Sequence, residues 1–346
     1  MARKAVVLFN LGGPDTLAAV EPFLFNLFYD PAIIGLPKPL RYLVAKLISK
    51  RRAPIAKEIY KHLGGGSPLL PQTQDQASAL ERYLSDNQDE YKIFIAMRYW
   101  HPRADVTVKQ VANFDPDEVI LLPLYPQYST TTTGSSVKEW EKLATLAKLN
   151  CPTTILCCYP QNSGFVGACV DLIQQKLSEI EGVQPRLLFS AHGLPKKIIE
   201  AGDPYQWQVE QTVEAIVEQL GIPDLDYGIC YQSRVGPVEW IKPATEDEIT
   251  AAGENKKSIM IIPVAFVSEH SETLVELDIE YADLAKAAGV PNYYRIPTVT
   301  THPKFVSGLG DMVKNLAIGT IQSEKGSVIC PTMQGACECR RREKND

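Results

Sequence analysis

The sequence predicts an α/β protein made of two doubly wound parallel-sheet halves. Short apolar runs at 5–9, 118–122, 186–189 and 258–262 each stop at a turn containing Gly or Pro and lead into a helical pattern. Continuously apolar strands that alternate with helices are typical of parallel sheets covered on both faces. The runs also form two pairs with similar turns, the first with the third and the second with the fourth, so the chain contains a weak internal repeat.

Length and composition allow two domains and exclude some classes of protein. A chain of 346 residues with 45% hydrophobic and 22% charged residues is not disordered throughout. A formal net charge of −6 argues against general nucleic-acid binding, which needs a basic surface. No run approaches the roughly 20 apolar residues of a membrane span, and no signal-peptide pattern opens the chain. We therefore predict a cytoplasmic protein whose eight cysteines form no disulfide framework.

The first half carries an insertion. It has 109 positions between Pro14 and Pro123, against 68 between the matching Pro195 and Pro263, which is an excess of 41 residues. The segment at about 20–61 accounts for this excess, because it is apolar at its start and then combines helically spaced leucines with basic residues. Two interpretations stay open: a core helix with a solvated basic side, or an apolar lip with cationic edges for a membrane surface or an apolar, anionic ligand.

The second half holds the residues best suited to chemistry. His192 follows a buried strand, although a single histidine is often only structural. Glu272, Glu276 and Glu280 are spaced at i, i+4 and i+8, which predicts three carboxylates on one helix face beginning near a strand end. An imidazole with carboxylates suits a loosely held divalent metal and also suits proton removal. A metal-using hydrolase and a metal-handling enzyme both fit.

Two further strand ends place cations beside aromatic side chains. Arg98 and Tyr99 follow the strand at 92–97, and a segment ending at Trp240 follows the strand at 226–230. Such walls would hold a flat aromatic ligand bearing carboxylates. The glycine-rich motifs of dinucleotide and ATP sites are absent from the sequence.

The carboxyl-terminal tail contains a cysteine cluster. Cys330, Cys337 and Cys339 lie within ten positions, which favours a metal over a disulfide in a cytoplasmic chain. A structural zinc and an iron–sulfur cluster both remain open, and each needs a fourth ligand. The candidates are Cys157 and Cys158, with Cys151 and Cys169 behind them.

Taken together, these residues resemble the ferrochelatase family, whose enzymes insert ferrous iron into a porphyrin in the last stage of haem synthesis. The likeness runs from residue 11 to about residue 315. Five motifs in the family's order carry it: Gly-Gly-Gly-Ser-Pro at 64–68, Pro-Leu-Tyr-Pro-Gln-Tyr-Ser at 123–129, Ser-Ala-His-Gly-Leu-Pro at 190–195, Tyr-Gln-Ser-Arg-Val-Gly-Pro at 231–237, and the acidic stretch at 268–278.

The resemblance implies an architecture. Two Rossmann-like domains of the chelatase type are expected, residues 1–148 with the lip insertion at about 20–61, and residues 149–302 with the catalytic residues. The last helix, at about 303–318, is expected to pack back on the first domain, and residues 319–346 are expected to form a Cys-rich tail.

The resemblance also implies roles for single residues. The family's essential histidine matches His192 and its paired acid matches Glu272, which together would meet the Fe²⁺ substrate, and the acidic row continues through Glu276 and Glu280. The residues expected to line the porphyrin site are Arg98, Tyr99, Tyr125, Trp240 and Phe266. The cysteine pattern is similar to that of bacterial members with a [2Fe–2S] cluster, whose expected ligands here are Cys330, Cys337, Cys339 and Cys158 or Cys157.

The implied activity is insertion of ferrous iron into protoporphyrin IX to form protohaem. Coproporphyrin III as the substrate, another metal, or a porphyrin or haem carrier without turnover are the alternatives. The lip implies peripheral association with the inner face of the membrane, and a homodimer is suggested by analogy alone.

Overall fold

Parallel sheets form the centre of each of the two units into which the chain divides. The structure is a computed structural model that describes residues 1–85, 89–182, 184–234, 236 and 238–343, with the backbone alone at 341–343. Unit 1 comprises Met1–Cys158 and Met312–Val328, and unit 2 comprises Tyr159–Asp311 and Ile329–Asp346.

The sheet of unit 1 has the strand order β2-β1-β3-β4-β9, and every neighbouring pair is parallel. Its strands are β1 (Arg3–Asn10), β2 (Glu90–Met97), β3 (Glu118–Pro123), β4 (Thr153–Leu156) and β9 (Ile321–Gln322). Its helices are α1 (Val20–Phe28), α2 (Lys38–His62), α3 (Leu69–Leu84), α4 (Ala104–Phe114) and α5 (Thr133–Leu146). The apolar runs predicted as strands are the buried centre of this sheet, where Val7, Leu121 and Trp140 share one core cluster.

The sheet of unit 2 has the order β6-β5-β7-β8, again with parallel neighbours. Its strands are β5 (Arg186–His192), β6 (Tyr227–Gln232), β7 (Ile259–Pro263) and β8 (Tyr293–Arg295). Its helices are α6 (Ser163–Ser178), α7 (Lys196–Glu200), α8 (Tyr205–Leu220), α9 (Thr245–Glu254), α10 (Ser271–Leu274), α11 (Tyr281–Ala288) and α13 (Glu338–Glu343). Leu188, Ile261 and Leu277 lie in its core.

The two units repeat one topology. In each, the second strand lies on one side of the first and the third strand lies on the other side, so the strand order reverses between the first strand and the third. The predicted pairing of the runs at 5–9 and 186–189, and of those at 118–122 and 258–262, is confirmed. In this fold, ligands bind beyond the carboxyl ends of the strands at the reversal. In unit 2, those ends belong to β5 and β7.

The structure divides the chain later than the sequence analysis predicted. The boundary lies at Cys158 and not at 148, because β4 pairs with β3 in the first sheet. The last helix, α12 (Pro303–Asn315), begins in unit 2 and ends in unit 1, since the division falls between Asp311 and Met312. Residues 319–346 do not form one separate tail, because β9 pairs with β4 and the cysteine segment belongs to unit 2.

The predicted insertion at about 20–61 forms α1 and α2, whose apolar residues pack together only in part. Four of the five buried residues of α2 are spaced four apart, Arg41, Ala45, Ser49 and Ala53, while Leu43 and Leu47 on the other side are 62% and 57% exposed. A core helix would bury its leucines, so the pattern favours the lip interpretation. Over the described residues, no helix is both long enough and apolar enough to pass through a bilayer.

Candidate active site

The carboxyl ends of β5 and β7 bring an imidazole and a carboxylate together. His192 is the last residue of β5, and Glu272 lies in α10, which follows the end of β7 at Pro263. The Nδ1 atom of His192 lies 3.0 Å from Oε2 of Glu272. Because Nδ1 faces Glu272, Nε2 is the ring nitrogen left for a substrate. The pairing that the sequence analysis expected from two separate loops is therefore present in the geometry of unit 2.

The backbone around His192 is held from two directions. The Tyr205 hydroxyl donates to the carbonyl oxygen of His192 at 3.0 Å, and the Gly193 N–H donates to the carbonyl of Gln232 at 2.8 Å. A Cβ on Gly193 would lie only 2.9 Å from that carbonyl oxygen, so this close approach of β5 to β6 requires glycine. The backbone at His192 is thus fixed from two sides, while Glu272 holds the imidazole.

A second histidine, which the sequence analysis did not single out, joins the pair. His270 is 7% exposed, and its Nε2 lies 3.6 Å from the same Oε2 of Glu272. Its ring also lies 4.7 Å from that of Phe266, between centroids. His270 occupies the residue before α10, where its N–H donates to Oγ1 of Thr273 at 2.9 Å. A signal was available in the sequence, because His270 stands two residues before Glu272 in the same loop.

Glu276 sits in a network of donors that the sequence analysis also missed. Its carboxylate accepts from Nε2 of Gln232 at 3.0 Å, from Oγ of Ser233 at 2.5 Å and from the Ser233 N–H at 2.8 Å. The Tyr281 hydroxyl donates to it at 3.0 Å. Gln232 also donates to the carbonyl oxygen of Glu272 at 2.8 Å, so one amide joins the two acidic residues. The strand end of β6 therefore contributes to the site. Val235 and Pro237, in the same predicted motif, lie outside the described residues.

The predicted row of three glutamates does not continue along a regular α-helix. After α10, residues Glu276–Glu280 form one turn of π-helix, in which the Glu280 N–H donates to the carbonyl of Val275, five residues back. The wider turn shifts the face on which every fourth residue lies, since the i, i+4 rule assumes 3.6 residues a turn. Glu272 and Glu276 lie near His192 and Gln232, and Glu280 is exposed at the end of the turn.

The pKa values of His192, Glu272 and Glu276 are shifted from their ordinary values in different directions. Burial lowers the pKa of His192, but the nearby Glu272 outweighs it and the net pKa is raised above 6.5. Burial opposes ionisation of Glu272, yet His192 and His270 hold its pKa well below the usual range. The pKa of Glu276 is raised, first by burial and then by the charge of Glu272. The site therefore holds one stable carboxylate, one imidazole that keeps its proton longer than usual, and one carboxyl that takes up a proton more easily than usual.

Arg98 and Tyr99 form polar contacts within unit 1, and their contact with a porphyrin stays a prediction. The Arg98 guanidinium lies 2.8 Å from Asp30 and 3.1 Å from Glu139, and its Nε donates to Ser135 at 2.8 Å. The Tyr99 hydroxyl donates to Asp30 at 2.8 Å, and burial raises the tyrosine's pKa far above its ordinary value. Arg98 therefore does not present an unpaired guanidinium to a ligand carboxylate, because two acidic side chains of its own unit already neutralise it.

The other predicted porphyrin-lining residues are half-buried. In unit 1, burial raises the pKa of Tyr125, which follows β3. In unit 2, the Trp240 ring lies beside Gly193 and its backbone bridges to Pro195, while Phe266 packs against His270. Trp240 and Phe266 thus border the His192 region from two different loops.

Three cysteines form a group that could hold a metal. The sulfur atoms of Cys157, Cys337 and Cys339 lie within 4.8 Å of one another, and all three residues are buried. Of the two candidates at 157 and 158, this group contains Cys157. Cys330 and Cys158 are buried outside the group, and Nε2 of Gln208 donates to the Cys330 sulfur at 3.1 Å. Cys151 and Cys169 do not join the group either, and burial raises the pKa of Cys169 to about 12.

Parallel α/β units with an imidazole–carboxylate pair at a strand-order reversal are suited to a metal-using or metal-handling enzyme of the α/β class. The fold is similar to that of SirB from Bacillus subtilis with Fe3+, with a TM-score of 0.53, 12% identity, and coverage of 91% of this chain and 95% of that one. It is also similar to DR2241 from Deinococcus radiodurans, described as similar in structure to chelatases, with a TM-score of 0.50, 12% identity, and coverage of 94% and 57%. These likenesses concern the fold.

The sequence comparisons are closer. The ferrochelatase family model matches residues 3–317. A ferrochelatase of Pelagibacter ubique is 51% identical over 97% of this chain and 98% of its own length, and one of Caulobacter vibrioides is 53% identical over 98% of both. The chain belongs to the ferrochelatase family and is a metal chelatase. Cys330, Cys337 and Cys339 lie beyond the residues that the family model matches.

Proposed function

We propose that this chain inserts ferrous iron into protoporphyrin IX to form protohaem, with His192 and Glu272 at the reacting centre. Family membership supports iron insertion into a porphyrin for haem synthesis. The observation that carries the residue roles is the 3.0 Å pairing of His192 with Glu272 at the end of β5.

The chemical task is to remove two N–H protons from a flat macrocycle while the iron ion enters. An acceptor must lie within hydrogen-bond reach of those protons and have a pKa near the working pH. The His192 imidazole meets the second condition, and its protonated form is stabilised by Glu272. Glu276 provides the next acceptor, because its pKa is raised and Gln232 joins it to Glu272. Glu272, which stays ionised, is the side chain best suited to meet the incoming Fe²⁺.

His192→Ala is the direct test. Loss of free porphyrin fluorescence on anaerobic addition of Fe²⁺ should slow by about 100-fold or more, as expected when a general base is removed. Porphyrin binding, measured by fluorescence titration, should remain. His302→Ala is a matched control, because His302 also lies near a carboxylate in unit 2, with Nε2 3.7 Å from Asp171. Turnover retained in His192→Ala would refute the assignment, and a wild-type chain that binds porphyrin without turnover would favour the carrier.

The choice of porphyrin is tested by competition. Coproporphyrin III carries four carboxylates and protoporphyrin IX two, and the exposed leucines of α2 support the less polar ring. We expect the higher kcat/KM for protoporphyrin IX when both are offered together. A preference for coproporphyrin III would refute protoporphyrin IX as the substrate. The proposed roles of His192 and Glu272 would be unaffected.

The cysteine group supports a [2Fe–2S] cluster as a resident cofactor. Three buried sulfurs within 4.8 Å suit the soft-ligand chemistry of iron–sulfur centres and of zinc. The ligands we propose are Cys157, Cys337, Cys339 and Cys330. When bound, such a cluster supplies a one-electron centre and a cross-link for the chain.

Two variants and one spectrum test this centre. Anaerobically purified protein should absorb in the visible range and contain iron and sulfide, whereas zinc would give no visible band. Cys157→Ser should abolish the absorption, and the matched Cys158→Ser should retain it. If Cys158→Ser lost the absorption and Cys157→Ser kept it, Cys158 would be the ligand in place of Cys157.

The exposed face of α2 supports peripheral membrane association. Leu43 and Leu47 are exposed on a helix that also carries Lys46, Lys50 and Arg51, a combination suited to an anionic bilayer surface. A cytoplasmic location and a homodimer stay predictions of the sequence analysis.

A further inference from the structure

The first two turns of α8 touch both the cysteine segment and the backbone of His192. On one side, Nε2 of Gln208 donates to the sulfur of Cys330 at 3.1 Å. Three residues earlier, the Tyr205 hydroxyl donates to the carbonyl oxygen of His192 at 3.0 Å. Gln208 is fully buried and Tyr205 is 6% exposed, so neither bond competes with bulk water.

The cysteine segment is fastened to the start of the same helix by its backbone. The Ala336 N–H donates to the carbonyl of Gly202 at 3.0 Å, and a Cβ on Gly202 would meet the backbone of Met333 and Gly335 at 3.1–3.3 Å. Asp203, the next residue, accepts from the Tyr205 N–H at 3.0 Å. The contact between the segment and α8 therefore extends from residue 202 to residue 208 and does not depend on one side chain.

An amide that donates to a metal-bound sulfur changes the centre it belongs to. Hydrogen bonds to the sulfurs set the reduction potential of iron–sulfur clusters, and outer partners of metal ligands typically change metal affinity by about 10–100-fold. A glutamine amide nitrogen can only donate, so the Cys330 sulfur is the acceptor, as a thiolate ligand would be.

We propose that Gln208 and Tyr205 are positioning residues that couple the cysteine segment to the catalytic histidine. Gln208 stabilises Cys330 as a ligand, and Tyr205 fixes the carboxyl end of β5, so a change at the cysteines is passed through α8 to His192. This inference rests on the proposed metal centre. It describes how the centre affects iron insertion although the atoms of the centre take no part in that reaction.

The first experiment follows the metal centre and not the activity. Anaerobically purified full-length protein is treated with 2,2′-bipyridine, and loss of visible absorption and release of iron are timed. Gln208→Leu should lose the centre about tenfold faster than wild type. Gln206→Leu is the matched control, because Gln206 lies on the same helix and its amide donates to Glu210, at 3.2 Å. If Gln208→Leu does not fold, Gln208→Met, which keeps the length of the side chain but has no donor, should show the same acceleration.

The second experiment tests the coupling. Tyr205→Phe should lower kcat about fivefold, the effect of one hydrogen bond, with the KM for porphyrin unchanged. Bleaching of the metal centre should lower kcat in wild type. It should change kcat much less in Tyr205→Phe, because that variant already lacks the hydrogen bond to the carbonyl oxygen of His192. Equal bleaching rates in wild type and Gln208→Leu, or additive losses of kcat, would overturn the proposal.

The coupling through α8 and the proposed iron insertion can be refuted independently of each other. A colourless wild-type protein without iron would remove the metal centre and this coupling together. The same sample, assayed for iron insertion, would still show whether His192 and Glu272 perform the proposed reaction.

Discussion

Replacing Glu272 by Gln should reverse the direction in which the His192 pKa is shifted. In the wild type, burial lowers this pKa and the Glu272 carboxylate, 3.0 Å from Nδ1, more than offsets it. An opposite charge at such a distance shifts a pKa by about 1–3 units. Because the two side chains are 36% and 28% exposed, water screens the pair, and its contribution to the free energy is that of a partly exposed ion pair, about 1 kcal/mol or less. The His192 pKa should therefore fall from above 6.5 in the wild type to below 6.5 in Glu272→Gln.

NMR titration of the imidazole protons measures this shift. The chain has five histidines, so His192 can be assigned by comparison with a His192→Gln spectrum. Glu254→Gln is the control, because it makes the same change of net charge at an exposed position of α9. An unchanged or higher His192 pKa in Glu272→Gln would refute the electrostatic account of the site.

The same pair predicts how stability depends on pH. Folding lowers the pKa of Glu272 from 4.5, so that residue's contribution is present above about pH 4.5 and is lost as the pH falls. Folding raises the pKa of His192 from 6.5, so that residue's contribution is complete below about pH 6.5 and is lost as the pH rises through the higher folded value. The difference in unfolding free energy between wild type and Glu272→Gln should therefore be largest, on the order of 1 kcal/mol, between about pH 4.5 and 6.5. Urea unfolding across this range measures it, and a flat difference would contradict the ion pair.

Three other variants have definite expectations. Glu276→Gln should lower the unfolding free energy in urea by about 1–3 kcal/mol, because an amide nitrogen would replace one of the two oxygens that accept from Gln232, Ser233 and Tyr281. Its kcat should fall about tenfold or more through loss of a proton acceptor; unchanged kcat would exclude that role. Asp30→Asn should lower the unfolding free energy by about 3 kcal/mol, since it removes a partner of the buried Arg98, and a loss well under about 1 kcal/mol would show that Glu139 alone suffices. Leu43→Ser combined with Leu47→Ser should reduce sedimentation with anionic vesicles while iron insertion into soluble porphyrin continues, and equal sedimentation would exclude α2 as the contact.

Apolar strands and their turns made most of the architecture predictable. The four long buried strands β1, β3, β5 and β7 lie within a few residues of their predicted positions, because a continuous apolar run that ends at Gly or Pro is typical of a buried parallel strand. Parallel strands end on the same edge of a sheet, which is why His192 and Glu272 could be expected to meet although 80 residues separate them. The strand β9 could not be predicted, because two residues, Ile321 and Gln322, carry no periodic pattern.

The site details that were missed depend on contacts that leave no local signal. The π-helical turn at Glu276–Glu280 is invisible in the sequence, because glutamates four apart are typical of an ordinary α-helix. One of the two acidic partners of Arg98 is Asp30, 68 positions away and inside the insertion. Cys157 and Cys158 are equally apolar neighbours, and only the placement of Cys337 and Cys339 distinguishes them.

The pKa shifts assign separate roles to the three residues, which their residue types alone do not. Histidine and glutamate can each take a proton or meet a metal ion, so sequence reasoning could not assign the two jobs. A useful rule for active sites is that groups whose surroundings push their pKa values apart have separate roles. Here Glu272 is held ionised by two imidazoles, while Glu276, one turn away, is pushed towards its protonated form by burial and by the charge of Glu272 itself. Glu272 therefore suits the cation, Glu276 suits the proton, and His192, whose pKa depends on Glu272, lies between them.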